Sequence, residues 1–83
     1  MRVTVISPEQ AVFEGDADSV VAPAYDGQLG ILPQHAPFMT LLGDGDLKVK
    51  NAGTVHAFHV RGGFLQVVDN VVRVVAEYAE GRV

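Results

Sequence analysis

Three histidines, ten acidic residues and two serines are the groups in this 83-residue chain that could carry chemistry. His56 and His59 stand three apart on a stretch that reads as a strand, so their side chains leave opposite faces and cannot close on one ion. His35 lies far off in a turn and reads as a polar interface residue or the maker of a local turn bond. A metal site needs several ligands converging on one point, and these do not supply them. Asp44-Gly45-Asp46 opens like a calcium loop but lacks the later oxygen ligands and the terminal glutamate, so it reads as a solvated turn. Neither Ser7 nor Ser19 has a histidine beside it to act as base. Gly27-x-x-Gly30 and Gly62-Gly63 precede no helix N-terminus that could receive a phosphate. Most carboxylates fall in turns or at strand ends, where they are solvated, although a pair meeting across strands stays open on sequence alone. The expectation is no catalytic residue, no metal site and no cofactor.

The elements that would position any such group are strands. Fifteen residues are valine, whose branched Cβ favours a pleated surface, and glycine or proline punctuates the chain throughout. No stretch holds a helical i, i+3, i+4, i+7 pattern. Strands are predicted at residues 2–6, 12–13, 18–23, 28–31, 38–42, 46–50, 54–61, 64–68 and 71–77. Turn residues separate them at Gly15-Asp16, Asp26-Gly27, Gly43-Asp44-Gly45, Asn51-Ala52-Gly53, Gly62-Gly63 and Asp69-Asn70. Short strands at this spacing mean an all-β sandwich or barrel in one small domain, residues 1–83. An apolar fraction of 48% supports a single core rather than disorder. The net charge of −4, with six scattered basic residues, argues against nucleic acid. There is no cysteine for a disulfide or a thiolate site. No window approaches the ~20 apolar residues of a membrane span, and no signal peptide precedes the first strand. Membrane association would run through a partner.

Alternation along the strands assigns faces. Val72, Val74 and Ala76 share a core side, leaving Val71, Arg73, Val75 and Glu77 outward. In the strand before, Leu65 and Val67 face one way and Phe64, Gln66 and Val68 the other. Residues 54–60 carry apolar side chains on both sides, Val55 and Ala57 against Phe58 and Val60. An antiparallel sheet with one wet face alternates more cleanly than this. The surplus points either to a covered outer face or to bulges, loops and single exposed valines.

One segment is more specific than the rest: Asp26-Gly27-Gln28-Leu29-Gly30-Ile31-Leu32-Pro33-Gln34-His35-Ala36-Pro37. It packs a tight turn, a short apolar strand and a proline-bracketed turn into one rigid run with polar tips. The pattern Gly27-x-Leu29-Gly30-Ile31-x-Pro33-x-His35-Ala36-Pro37 resembles the N-terminal domain of the epsilon subunit of F-type ATP synthases. Val5-Ile6-Ser7-Pro8-Glu9 followed by Val12-Phe13-Glu14-Gly15, and Gly62-Gly63-Phe64-Leu65-Gln66-Val67 before the valine-rich strand at 71–76, are similar to that family in the same order.

The resemblance implies a flattened β-sandwich of two antiparallel sheets with roughly ten short strands. It implies a non-catalytic central-stalk (rotor) subunit of a proton-translocating synthase, on the cytoplasmic face of a bacterial plasma membrane as a peripheral component. The partners implied are the gamma subunit on one face and the c-subunit ring at one end, coupling ring rotation to ATP synthesis. Asp26, Gly27, Gln28 and Leu29 correspond to the ring-facing loop. Family members often have an acidic residue where this chain has Gln28, so Asp26 could supply that charge instead. Ser7, His35, Ala36, Thr40, Gln66 and Arg73 fall on the gamma-facing surface. The family's C-terminal helical hairpin has no counterpart in these 83 residues, so neither nucleotide binding nor an inhibitory arm is expected of them. A partner-dependent subunit should be monomeric in isolation. A free-standing ligand-binding or enzymatic sandwich would need convergent polar groups in a pocket, and a self-assembling structural module would explain the outward apolar residues equally well.

Overall fold

The alternation of branched residues and turn formers is realised as eight strands. They are β1 (Arg2–Ile6), β2 (Ala11–Asp16), β3 (Ser19–Ala24), β4 (Gly27–Ile31), β5 (Phe38–Leu41), β6 (Asp44–Asn51), β7 (Thr54–Val68) and β8 (Val71–Arg82). The structure, a computed structural model, describes residues 1–82. All eight strands are hydrogen-bonded into one path, β2-β1-β8-β7-β6-β3-β4, with β5 also on β7. The path folds over because β7 and β8 are long enough to serve two layers. Residues 54–61 of β7 pair with β6, whereas residues 64–67 pair with β5. One layer is then β4-β3-β6-β7-β8 and the other β5-β7-β8-β1-β2, so eight strands counted once per layer give ten segments. Every pairing is antiparallel except β1 with β8, which is parallel.

Between the layers lies one apolar cluster. Val20, Ile31, Leu47, Val49 and Val60 enter it from the first layer, and Val3, Val5, Leu65, Val67, Val72 and Val74 from the second. None of these is more than 1% exposed, and among the described residues no polar or charged side chain is buried. Fully burying a side chain of this size contributes about 1.5–3 kcal/mol, so this cluster is the main adhesive between the layers.

The switch between layers occurs at Gly62-Gly63. Ahead of it the even-numbered Phe58 and Val60 point inward; beyond it the odd-numbered Leu65 and Val67 do. Both glycines have positive φ, 69° and 96°. A Cβ on Gly63 would lie 2.0 Å from the Val75 carbonyl oxygen, so the partner strand passes too close for any side chain there. Gly62-Gly63 is therefore a mid-strand inversion and not a turn, and the predicted strands 54–61 and 64–68 are one. Three other boundaries differ from expectation by two residues or more. β2 runs on through Gly15-Asp16, β6 begins at Asp44 so that Asp44-Gly45-Asp46 is strand, and β8 continues past residue 77 to Arg82.

Tight turns hold the register. Ala52 and Gly53 close β6 to β7, and Asp69 and Asn70 close β7 to β8, each pair with positive φ at both residues. That is the twist two-residue hairpins require. Asn70 also ties the edge: its carbonyl accepts from the Arg2 amide at 3.1 Å and its Oδ1 accepts from the Gln34 amide at 2.8 Å.

Candidate functional site

The outward side of β5, β7, β8 and β1 carries the surface that the sequence left unexplained. Cross-strand partners share a face, so register sorts the side chains into rows. Leu41, Phe64, Val75 and Ile6 form one row across the four strands, and Met39, Gln66, Arg73 and Thr4 the next. Val68 and Val71 pair beyond them. Met39 and Leu41 are each 62% exposed, while Phe64, Val71, Val75 and Ile6 are half-buried by one another. Toward β2 the same face turns ionic, with Arg2 reaching Glu14 at 3.1 Å and Asp16 at 3.7 Å. Apolar residues around one polar pair, with a charged edge, fit a protein contact surface.

The predicted gamma-facing residues distribute unevenly over this surface. Gln66 and Arg73 are direct cross-strand partners at its centre. Ser7 follows the end of β1, where its hydroxyl donates to the Gln10 carbonyl at 3.2 Å. His35 and Ala36 lie in the loop that Asn70 anchors, at the opposite end of β8. The His35 ring is 5.5 Å from Phe38, and its Nδ1 is 2.7 Å from the Ala36 carbonyl, a local turn bond. Thr40 stands opposite the buried Leu65 and so belongs to the inward side of β5. Met39 and Leu41 were missed, although alternation along residues 38–42 already sets them apart from Phe38 and Thr40.

The predicted ring-facing residues cluster at the β3–β4 tip. Ala24 pairs with Gly27 across Tyr25-Asp26, and Gly27 takes φ 138°. The tip is fastened sideways to β5: Tyr25 N donates to Leu41 O at 3.2 Å, and Ala24 bridges Leu42. At Gly43 a Cβ would come 2.7 Å from the Ala24 carbonyl oxygen, so the approach needs glycine. A groove results between tip and β5, with Tyr25, Asp26, Gln28 and Leu29 on one wall and Phe38 to Leu41 on the other. Tyr25 is 70% exposed there.

The other layer's outer face is ionic. His59 sits on β7 with Nε2 3.0 Å from Asp44 Oδ1 and Nδ1 3.5 Å from Asp46 Oδ1, both on β6. Its two nitrogens address separate carboxylates, and among the described residues no group of three or more His, Asp or Glu could hold one metal ion. Arg61 lies 5.1 Å from the centroid of the Tyr78 ring, and the Tyr78 hydroxyl donates to Glu80. His56 is on the opposite side of β7, 5.1 Å from the Phe13 ring.

Two layers sharing a long bent hairpin, with one largely apolar outer face and a fastened loop at its end, define a small β-sandwich that presents surfaces. Residues 1–82 match the model of the ATP synthase delta/epsilon chain β-sandwich domain. The chain belongs to that family. It is 46% identical over 81 residues to an ATP synthase epsilon chain of Frankia casuarinae, covering 96% of this chain and 95% of that one. It is 44% identical over 79 residues to the epsilon chain of Desulforamulus reducens, of which it spans only 60%. A chain in the Euglena gracilis mitochondrial ATP synthase, a structure described as OSCP/F1/c-ring, superposes with TM-score 0.88 over 95% of this chain and 51% of that chain, at 22% identity. One in the Tetrahymena thermophila central stalk and c-ring structure does so with TM-score 0.77 over 94% of this chain and 63% of that chain, at 20% identity. At that identity the likeness speaks for the fold.

Proposed function

We propose that this chain acts as a non-catalytic rotor component of a proton-translocating ATP synthase, binding the gamma subunit with its apolar outer face and the c-ring with its β3–β4 tip. Residues 1–83 are read as one domain, monomeric alone and without a cofactor. As a peripheral subunit it would work at the cytoplasmic face of a bacterial membrane; no helix among its described residues is long and apolar enough to cross one.

The observation that carries this reading is the row Leu41–Phe64–Val75–Ile6 with Met39 beside it, outward-facing in a member of the epsilon-chain family. Apolar anchors of this kind supply affinity, while the adjoining Gln66 and Arg73 would fix register. A torque-transmitting role asks for stiffness. The dense valine core, with every layer crossed by the same two strands, resists shear because interiors pack like organic crystals.

The test is to mix the purified chain with folded gamma subunit and follow the mixture by sedimentation. A stable one-to-one complex is expected. Separate sedimentation of the two components at micromolar concentration would overturn the assignment of this face.

A further inference from the structure

We infer that Asn70 is a positioning residue for the gamma contact: its side chain latches residues 32–37, so that His35 and Ala36 stand ready at the Val68–Val71 end of the apolar outer face. The inference rests on the proposed gamma contact and adds to it a residue that belongs to none of the predicted surfaces.

Residues 32–37 have little else to hold them. All are exposed except His35, which is half-buried, and Leu32 at the start is 65% exposed. Pro33 and Pro37 carry no amide hydrogen to donate. The bond of the His35 ring to the Ala36 carbonyl is local. Among the described residues, the hydrogen bond that ties this loop to a distant part of the chain is the one from the Gln34 amide to Asn70 Oδ1, 2.8 Å long and spanning 36 positions. Gln34 itself has φ 65°, a left-handed conformation that a residue other than glycine keeps where its surroundings fix it.

The other end of that bond is firmly placed. Asn70 is the second residue of the β7–β8 turn, with φ 61°, which asparagine tolerates better than most side chains. Its carbonyl accepts from the Arg2 amide and so pins the turn to the start of β1. Val68 and Val71 pair on either side of the turn, on the hairpin that also carries Gln66 and Arg73. The turn by itself would be served equally by glycine, which is at home at positive φ. The carboxamide is the part that reaches Gln34. A loop already ordered before its partner arrives loses less free energy on binding, and this links one exposed bond to affinity.

The experiment compares wild type, Asn70→Gly and Asn70→Asp in titrations with folded gamma subunit, alongside hydrogen exchange of the Gln34 and Arg2 amides. Glycine keeps the turn and removes the acceptor, whereas aspartate keeps both. Asn70→Gly is expected to weaken gamma binding about fivefold, with the thermal midpoint lowered by about 5 °C or less. In that variant Gln34 should exchange about fivefold faster. Arg2, whose acceptor is the backbone carbonyl, should exchange as before. Asn70→Asp should bring affinity and Gln34 exchange back to within about twofold of wild type. Unchanged gamma affinity or unchanged Gln34 exchange in Asn70→Gly, with wild type binding normally, would overturn the inference and leave the gamma contact standing. So would equal losses in Asn70→Gly and Asn70→Asp, which would assign the effect to the turn and not to the latch. Failure of wild type itself to bind gamma would overturn the contact, and the inference with it.

Discussion

β7 and β8 run through both layers, yet what they turn toward solvent changes at Gly62-Gly63. On one side of that point the outward residues of β7 are Val55, Ala57, His59 and Arg61, set among Lys50, Lys48, Asp46, Asp44 and Glu80, so that charge outweighs the apolar residues there. On the other side they are Phe64 and Val68 with Gln66 between, set among Met39, Leu41, Val71 and Val75. The same hairpin, with the same register, therefore makes an ionic face and an apolar face. The difference cannot come from strand geometry, which is shared. It comes from which parity of side chain faces out, and the glycines reverse that parity. An ionic outer face is adequately served by water, and its pairs are weak individually. An apolar face of several adjacent residues is served less well by water, and is the kind of surface a partner covers.

The inversion is the place to break this contrast most severely. Gly63→Ala puts a Cβ 2.0 Å from the Val75 carbonyl oxygen at a residue with φ 96°. Backbone must move, and both layers share it. A loss of about 3 kcal/mol or more is expected, which in a domain of this size lowers the thermal midpoint by about 15 °C. Gly30→Ala is the control, since nothing lies within 4 Å of its Cβ position. A Gly63→Ala midpoint equal to that control would mean the close passage is not a constraint in solution.

Beneath the two faces the core should show no such contrast. Leu47 belongs to the ionic layer and Leu65 to the apolar one, and both are completely buried in the same cluster. Leu47→Ala and Leu65→Ala are each expected to cost about 3 kcal/mol in urea unfolding, with unchanged slope. A much smaller effect for one would show that its layer is held by something other than the shared core.

This division was partly legible in the chain itself. The core side of Val72, Val74 and Ala76 and the shared side of Leu65 and Val67 followed from alternation alone, and all five are buried. The apolar residues on the outward sides of 64–68 and 71–77 were also visible as an excess. What alternation could not show was continuity across Gly62-Gly63. Two glycines between apolar runs are the ordinary signature of a turn, and only the passage of β8 at contact distance makes them a parity switch. The grouping of Met39 and Leu41 with Gln66 and Phe64 was hidden for a related reason, because it depends on the β5–β7 register, which is long-range. The Asp44–His59–Asp46 arrangement likewise needs cross-strand register. The resemblance supplied the order of motifs, but not which residues share a face.

Substitutions on the apolar face should separate binding from folding. Leu41→Asp places a charge in the middle of the proposed gamma contact, on a side chain already 62% exposed in the free chain. Affinity for gamma should fall about tenfold or more, with stability changed by less than about 1 kcal/mol. Arg73→Glu, at the centre of the same face opposite Gln66, should weaken the complex more modestly while nearly preserving the thermal midpoint. A large midpoint drop for Arg73→Glu would place that residue in the fold and not in the contact.

The ionic face offers the smallest effect and the sharpest control. Asp44→Asn removes the carboxylate 3.0 Å from His59 Nε2, but the Asp44 side chain is 61% exposed and the pair is screened by water and salt. Double-mutant cycles with His59→Gln should give a coupling of about 0.5 kcal/mol or less at physiological ionic strength. Affinity for gamma should stay within about twofold of wild type, because the pair lies on the layer that faces away from Phe64 and Val75. Matched losses of gamma binding in Asp44→Asn and Leu41→Asp would mean the partner wraps both faces, and parity at Gly62-Gly63 would then no longer decide which side is covered.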